Sequence, residues 1–220
     1  MAILKYIAIA IIGYLLGNIS AGVIIARFFG VNDVRKYGSG GSGTTNVLRT
    51  VGWLPSVLTL VCDCLKGYVA CLIGRWLAGD PGMLLGGLCA ILGHDFPVFM
   101  GFKGGKGIAT SLGLIIAISP WIALGELLVQ IVTVAITRYM SIASLITTVA
   151  FPVVTGLMLR GRENYGLFLG AACLAAALSL FGHRSNIQRL IQGKENRLDF
   201  KKITEVSKKV MQKVRSKHDK

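Results

Sequence analysis

The sequence predicts an all-α polytopic integral membrane protein of seven transmembrane helices, with the N-terminus outside and the C-terminus cytoplasmic. Three observations carry that prediction. Of 220 residues, 53% are hydrophobic and 15% charged, with a mean hydropathy of +0.64, too apolar a balance for a soluble chain of this size. The apolar residues come as solid runs near or above about 18 residues, not as the alternating segments of roughly ten residues that a membrane β-barrel would show. The formal charge of +14 is lopsided, since from Arg184 onward twelve Lys or Arg stand against four Asp or Glu. Beside apolar spans, such a basic tail points to anionic lipid at the inner leaflet rather than to nucleic acid.

The elements follow in chain order. Met1 leads into a first span, residues 3–29, with no small-residue cleavage site, so this span is retained as a helix. It carries Gly13 and Gly17 at the small-xxx-small spacing of close helix contact, and Asn18 and Ser20 as polar groups for bundle packing. Residues 30–52 form a polar connection. The second span, residues 53–77, holds Asp63 and Lys66 one turn apart, able to pair, and ionisable groups at that depth mark a functional site unless they only join helices. Gly79-Asp80-Pro81-Gly82 makes a tight turn into a third span, residues 83–99. After Thr110 the apolar pattern runs almost unbroken to Ile136, and Ser119-Pro120 divides it into two helices. Residues 142–159 make the sixth span, Arg160-Gly161-Arg162-Glu163-Asn164 turns the chain, and residues 165–181 make the last. Beyond Phe200 a very basic helix bears Ile203, Val206, Val210 and Val214 at three or four residue intervals, a stripe expected to lie on the membrane while its lysines meet lipid phosphates. Residues 1–200 thus form a transmembrane domain and residues 201–220 a basic amphipathic cytoplasmic tail. The cysteines, Cys62, Cys64, Cys71, Cys89 and Cys173, sit inside apolar runs as small buried hydrophobes.

Parity sets the count of crossings. The tail and the loops holding Arg35, Lys36, Arg49, Lys103 and Lys106 belong on the positive, cytoplasmic side. An even number of crossings must then separate Lys106 from His183, which requires the split at Pro120. Two consequences are awkward: residues 109–118 are short for a crossing, so the helix begins within residues 104–107 or spans thin bilayer, and Arg160 and Arg162 face outward.

Three polar surfaces fall on that one side. Residues 39–49 offer Gly40 and its neighbouring glycines, the hydroxyls of Ser39, Ser42, Thr44 and Thr45, the Asn46 amide and the Arg49 guanidinium, a composition suited to an anion nest. Around Lys103, Gly104, Gly105 and Lys106, two cations are wrapped by glycines at a helix entrance, which suits phosphate. The segment is no Walker motif, because Gly107 follows Lys106 where Ser or Thr would be needed, so nucleotide hydrolysis is not indicated. The third surface joins His183, Arg184, Asn186 and Arg189, with Glu195 beyond. His94 and His183 both stand at cytoplasmic ends of spans, but no residues have metal-ligand spacing and no Ser-His-Asp or G-x-S-x-G pattern occurs. The site therefore suits positioning and charge stabilisation without a cofactor, a metal or a covalent intermediate.

Three blocks carry a family resemblance across residues 3–200. They are Gly38-Ser39-Gly40 through Thr45-Asn46-Val47-Leu48-Arg49, then Gly93-His94-Asp95-Phe96-Pro97-Val98-Phe99 with Phe102-Lys103-Gly104-Gly105-Lys106-Gly107, and His183-Arg184-Ser185-Asn186-Ile187-Gln188-Arg189-Leu190 with Gly193-Lys194-Glu195-Asn196. With Asp63-Cys64-Leu65-Lys66-Gly67 they resemble the bacterial acyl-phosphate:glycerol-3-phosphate acyltransferase family. The resemblance implies a multi-pass enzyme of the bacterial cytoplasmic membrane, its site on the cytoplasmic face, in which residues 1–200 are the acyltransferase domain. It implies transfer of a fatty acyl group from acyl phosphate to the 1-hydroxyl of glycerol 3-phosphate, giving lysophosphatidate, with the donor's own phosphate helping to take the hydroxyl proton. Ser39, Lys106, His183 and Asn186 are then the catalytic group. Gly40, Thr45, Asn46, Arg49, Lys66, His94, Lys103, Gly104, Gly105, Ser141, Ser144, Arg184 and Glu195 line or support the substrates. The expectation is a monomer. One departure is visible: members read Gly-Ser-Gly-Asn-Pro-Gly-Ala-Thr-Asn where this chain has Gly38-Ser39-Gly40-Gly41-Ser42-Gly43-Thr44-Thr45-Asn46, a turn without its rigid Asn-Pro pair.

A small anion or sugar-phosphate transporter would share the buried Asp63 and Lys66 and the phosphate-friendly loops. It would also need an outward-opening polar path or paired inverted repeats, and the sequence shows neither.

Overall fold

The computed structural model describes residues 2–218, and every regular element among them is a helix. Met1 and residues 219–220, which belong to the expected first span's leader and basic tail, lie outside the described residues. The helices are α1 (Ala2–Asn18), α2 (Ala21–Phe28), α3 (Thr44–Thr50), α4 (Trp53–Asp95), α5 (Ile108–Ile118), α6 (Pro120–Thr137), α7 (Met140–Met158), α8 (Tyr165–Gly182), α9 (Arg184–Ile191) and α10 (Phe200–His218). Among the described residues, five stretches are long and apolar enough to cross a membrane: Ile3–Phe28, Trp53–Met100, Pro120–Thr137, Met140–Met158 and Tyr165–Gly182.

The expected first span is broken. Between α1 and α2 the Asn18 amide donates to the Tyr14 carbonyl at 2.7 Å, and short polar side chains of this kind compete with helix continuation. At the break the Ile19 carbonyl accepts the Ala21 amide at 3.0 Å, and its second lone pair takes the Lys66 ammonium at 2.8 Å.

Glycine governs how the helices meet. α4 folds back on itself at Ala78 and Gly79, the latter at φ 65°, so residues 53–77 and 80–95 form two antiparallel arms. Their contact is backbone on backbone: a Cβ at Gly74 would strike the Gly82 carbonyl, and one at Gly86 the Ala70 carbonyl. Gly13 and Gly17 of α1 likewise have no room for a side chain against Gly86 and Ala90 of the second arm. Such close approach is what gives van der Waals packing its strength where lipid removes the hydrophobic drive between helices.

The short apolar segment becomes the 11-residue α5, about 16 Å long. It does not begin within the glycines, as expected, but at Ile108, with Gly107 left-handed at φ 71° ahead of it. α5 starts partway along the first arm, where Gly67 touches Thr110 and Gly113 touches Cys64. Pro120 opens α6 at a position where its missing N–H is harmless, and Ser119 caps that helix. At the far end Arg162 reaches the Ile118 carbonyl at 3.4 Å, lies 4.4 Å over the Phe168 ring and meets Asp80, which Arg75 also pairs at 3.0 Å. Local counter-charge and an aromatic face thus partner the Arg162 guanidinium.

The basic tail helix departs from expectation. Its stripe is turned toward protein rather than left open to lipid: Ile203 is buried with Leu48 and Leu198, and Val210 packs on the cluster of Val23, Val34, Val47 and Val51.

Candidate active site

Asn46, on α3, organises the first loop. Its amide nitrogen donates to the carbonyls of Val34, Tyr37 and Gly41 at 2.9, 3.1 and 2.8 Å, and its carbonyl oxygen accepts the Ser39 amide at 2.8 Å. One buried side chain therefore folds the loop around itself, supplying the order that a rigid Asn-Pro turn would otherwise provide. Gly38, at φ 61°, passes so close that a Cβ would strike the Asn46 oxygen.

The second loop hangs on the first and on a buried ionic cluster. The Ser42 amide donates to the Gly104 carbonyl at 3.4 Å, and Arg35, held bidentately by Asp33 at 3.0 Å, donates to the Met100 carbonyl. Beneath the loop Lys66 pairs with Asp63 at 2.7 Å and donates to His94 Nδ1 at 2.8 Å. The His94 ring presses on Gly105, whose amide bonds the His94 carbonyl at 3.0 Å, so no larger residue than glycine fits there. An ion pair this deep needs every partner filled, and Ile19, Asp63 and His94 fill the three donor sites of the ammonium.

The third surface closes the ring. Lys106 Nζ donates to Asn186 Oδ1, the Asn186 amide donates to Glu195 at 2.9 Å, and Arg189 pairs with the other Glu195 oxygen at 2.8 Å. Arg49 donates to the Asn196 carbonyl at 2.9 Å, so the first and third surfaces are bonded to each other. His183 Nδ1 lies 2.8 Å from the Ser179 carbonyl and must donate to it, which leaves Nε2 with its lone pair. Burial, and then the neighbouring Lys106 charge, push His183 down to about 4, so the ring is neutral near pH 7. Burial first, and repulsion from Arg189 and Arg49, push Lys106 down to about 8 against the pull of Glu195 and Asp95. Burial also lowers Arg49, which stays charged regardless.

These groups line one end of a cavity of about 610 Å³. Much of the rest of its lining is apolar, including Trp53, Val57 and Leu60 of α4 and Leu127, Ile131 and Val134 of α6. Thirteen of the residues expected from sequence reach it: Ser39, Thr45, Asn46, Arg49, His94, Gly104, Gly105, Lys106, Ser141, Ser144, His183, Asn186 and Glu195. Gly40, Lys66, Lys103 and Arg184 are not among its lining. Lys66 is a buried prop, while Lys103 is exposed and Arg184 is spent on the Phe181 ring and carbonyl.

Sequence reasoning missed a polar track deeper in the same cavity. Gln130 donates to Ser144 at 3.4 Å and accepts from Thr147 at 3.2 Å, Thr148 bonds Ser179 at 3.0 Å, and Glu126 Oε2 is buried without a partner. A glutamate within the apolar run after Pro120 was a readable signal, since an ionisable residue in hydrocarbon marks function by default.

Helices of this length and apolarity, enclosing a cleft lined by cations and by apolar side chains, are those of an integral membrane protein with a site chemically suited to an amphipathic anion. The comparisons narrow that class. The family model described as glycerol-3-phosphate acyltransferase matches residues 7–193. Glycerol-3-phosphate acyltransferases of Geobacter sulfurreducens and Clostridioides difficile are 43% identical over 195 residues and 41% identical over 208, covering 88% and 92% of this chain and 98% and 100% of their own. A crystal structure of PlsY, an integral membrane glycerol 3-phosphate acyltransferase, in its glycerol 3-phosphate form is similar at a TM-score of 0.81 and 39% identity, covering 90% of this chain and 98% of that one. Its lysophosphatidic acid form is similar at a TM-score of 0.79. The chain belongs to the glycerol-3-phosphate acyltransferase family, and is an acyltransferase of phospholipid biosynthesis.

Proposed function

We propose that the protein transfers a fatty acyl group from acyl phosphate to the 1-hydroxyl of glycerol 3-phosphate, releasing lysophosphatidate and inorganic phosphate. The observation that carries this reading is the cavity's mixed lining: Arg49, Lys106 and Arg189 gather in it, and most of its other surface is apolar side chain from the helices. A donor that is phosphate at one end and hydrocarbon beyond fits both halves.

Ser39, the loop amides and Arg49 hold the phosphate of glycerol 3-phosphate. Lys106, fixed by Asn186, lies against the phosphate of the donor, and the alkyl chain follows Trp53, Val57 and Ile131 toward the bilayer. The neutral His183 accepts a hydrogen bond from the glycerol hydroxyl through Nε2 and so orients it; Asn186 holds the other side. The hydroxyl oxygen attacks the acyl carbonyl, the acyl carbon to phosphate-oxygen bond breaks, and the hydroxyl proton passes to the departing phosphate. Lys106 and Arg189 stabilise the charge that grows on that phosphate. All reacting groups come from residues 1–200.

The same reading sets topology. Counting both arms of α4 and the short α5 gives seven crossings, with the N-terminus outside and the site on the cytoplasmic face of the bacterial inner membrane, where glycerol 3-phosphate is dissolved, the donor's phosphate meets water and the tail's lysines meet anionic lipid. The protein acts as a monomer. The deciding assay uses purified protein with glycerol 3-phosphate and acyl phosphates of several chain lengths. Lysophosphatidate and phosphate should appear in equal amounts; their absence with every donor overturns the reading.

A further inference from the structure

The family model ends at residue 193, and the chain continues through a helix that touches the site from behind. Four contacts tie that segment to α3, the helix that presents Asn46 and Arg49, and to Trp53 at the start of α4. The Asn196 carbonyl accepts the Arg49 guanidinium at 2.9 Å. The Phe200 ring stacks on Trp53 with centroids 6.0 Å apart and planes 17° from parallel, and both residues line the cavity. Ile203 is buried to 3% exposure against Leu48. The Ser207 hydroxyl accepts the Trp53 amide at 3.0 Å, while its own proton goes to the Ile203 carbonyl at 2.8 Å.

The last contact falls on a corner built to receive it. Gly52, between α3 and α4, has φ 116°, and a Cβ there would collide with Ser207. Glycine is needed both for that backbone conformation and for the approach of α10. The Trp53 amide is one of the first donors of α4, which has no partner within the helix, and Ser207 supplies the acceptor from a residue 154 positions away. A tail that only lay on the membrane would have no reason to cap another helix.

We propose that residues 194–210 are a positioning strap for catalysis: Ser207, through the Gly52–Trp53 corner, and Ile203, through Leu48, hold α3 so that Arg49 stays on the cleft. Ser207 is a positioning residue, since it does not line the cavity. This inference rests on the acyltransferase reading for its kinetic arm and on the fold alone for its structural arm.

The test uses the full chain, purified, with two readouts. One is KM for glycerol 3-phosphate at saturating acyl phosphate; the other is amide hydrogen exchange over residues 44–53. Ser207→Ala removes the acceptor and should raise KM about fivefold, the effect of one lost hydrogen bond, with kcat much less changed and protection over residues 44–53 reduced. Ser207→Thr keeps a hydroxyl and restores both. Ile203→Ala, acting through packing instead of a hydrogen bond, moves both the same way. Thr204→Ala deletes a neighbouring hydroxyl that bonds only its own helix, and should change neither. The strap is overturned if Ser207→Ala and Ile203→Ala leave exchange or KM at the wild-type value, or if Thr204→Ala shifts them equally. A wild-type protein that transfers no acyl group sinks the activity reading, and the exchange arm still decides the strap.

Discussion

In the proposed reaction Lys106 is the residue whose charge stabilises the departing phosphate. It bonds Asn186 and sits among Arg49, Arg189, Glu195 and Asp95, so removing its charge leaves the other groups in place. Lys106→Ala should lower kcat/KM by about 10²–10³-fold, the usual effect of removing one charge-stabilising group, while folded yield is unchanged. Its protonation sets a pH limit. A lysine pushed down to about 8 is charged below that value and loses its charge as pH rises through it, so activity should fall on the alkaline side near pH 8. In Lys106→Arg the charge persists, and whatever activity remains should no longer fall there; a kcat/KM profile against pH reads the difference. Glu126 presents the opposite case, a buried oxygen with no partner. Glu126→Leu should raise the melting temperature, reflecting about 1–3 kcal/mol of removed desolvation cost, and a simultaneous loss of activity would show that the carboxyl is kept for function.

At the scale of elements, contact between backbones decides what the helices can tolerate. Gly17 meets the Ala90 carbonyl and Gly93 with no space for a side chain. Gly17→Leu should therefore force α1 off the second arm of α4 and cost about 1–3 kcal/mol, seen as a lower melting temperature in detergent. The same helices show what could be read from sequence. Small-xxx-small spacing announced the α1 contact, and Pro120 announced the start of α6, because both are local rules of packing and backbone chemistry. The break after Asn18 was not announced. Its value lies in a carbonyl offered to Lys66, 47 residues later, and no local pattern encodes a partner at that distance. The tail helix was legible as amphipathic and basic, yet the occupant of its apolar stripe was not, since protein and lipid are equally acceptable to Ile203 and Val210.

Across the whole molecule, the site exists only because distant segments end at one level. Arg49 bonds Asn196, Ser42 bonds Gly104 and Lys106 bonds Asn186, which links residues from both halves of the chain. Single cysteines at positions 106 and 183 in a cysteine-free background should react with a membrane-impermeant reagent from the same side, the cytoplasmic one. Labelling from opposite sides would be incompatible with any shared cleft. By itself the amino-acid order determined the membrane-helical class, the places where most helices begin and end within a few residues, and the polar segments that come together at the cleft. Those properties follow from hydropathy, glycine and proline chemistry and charge, all of which act over a turn or two of chain. Only the tertiary structure decided which of the named polar groups face the cleft, which, like Lys66 and Asn46, are consumed in holding loops, and that the C-terminal helix stands behind α3. The reason is physical: a polar side chain serves whichever partner folding brings within about 3 Å, and that partner is a property of packing, not of the residue.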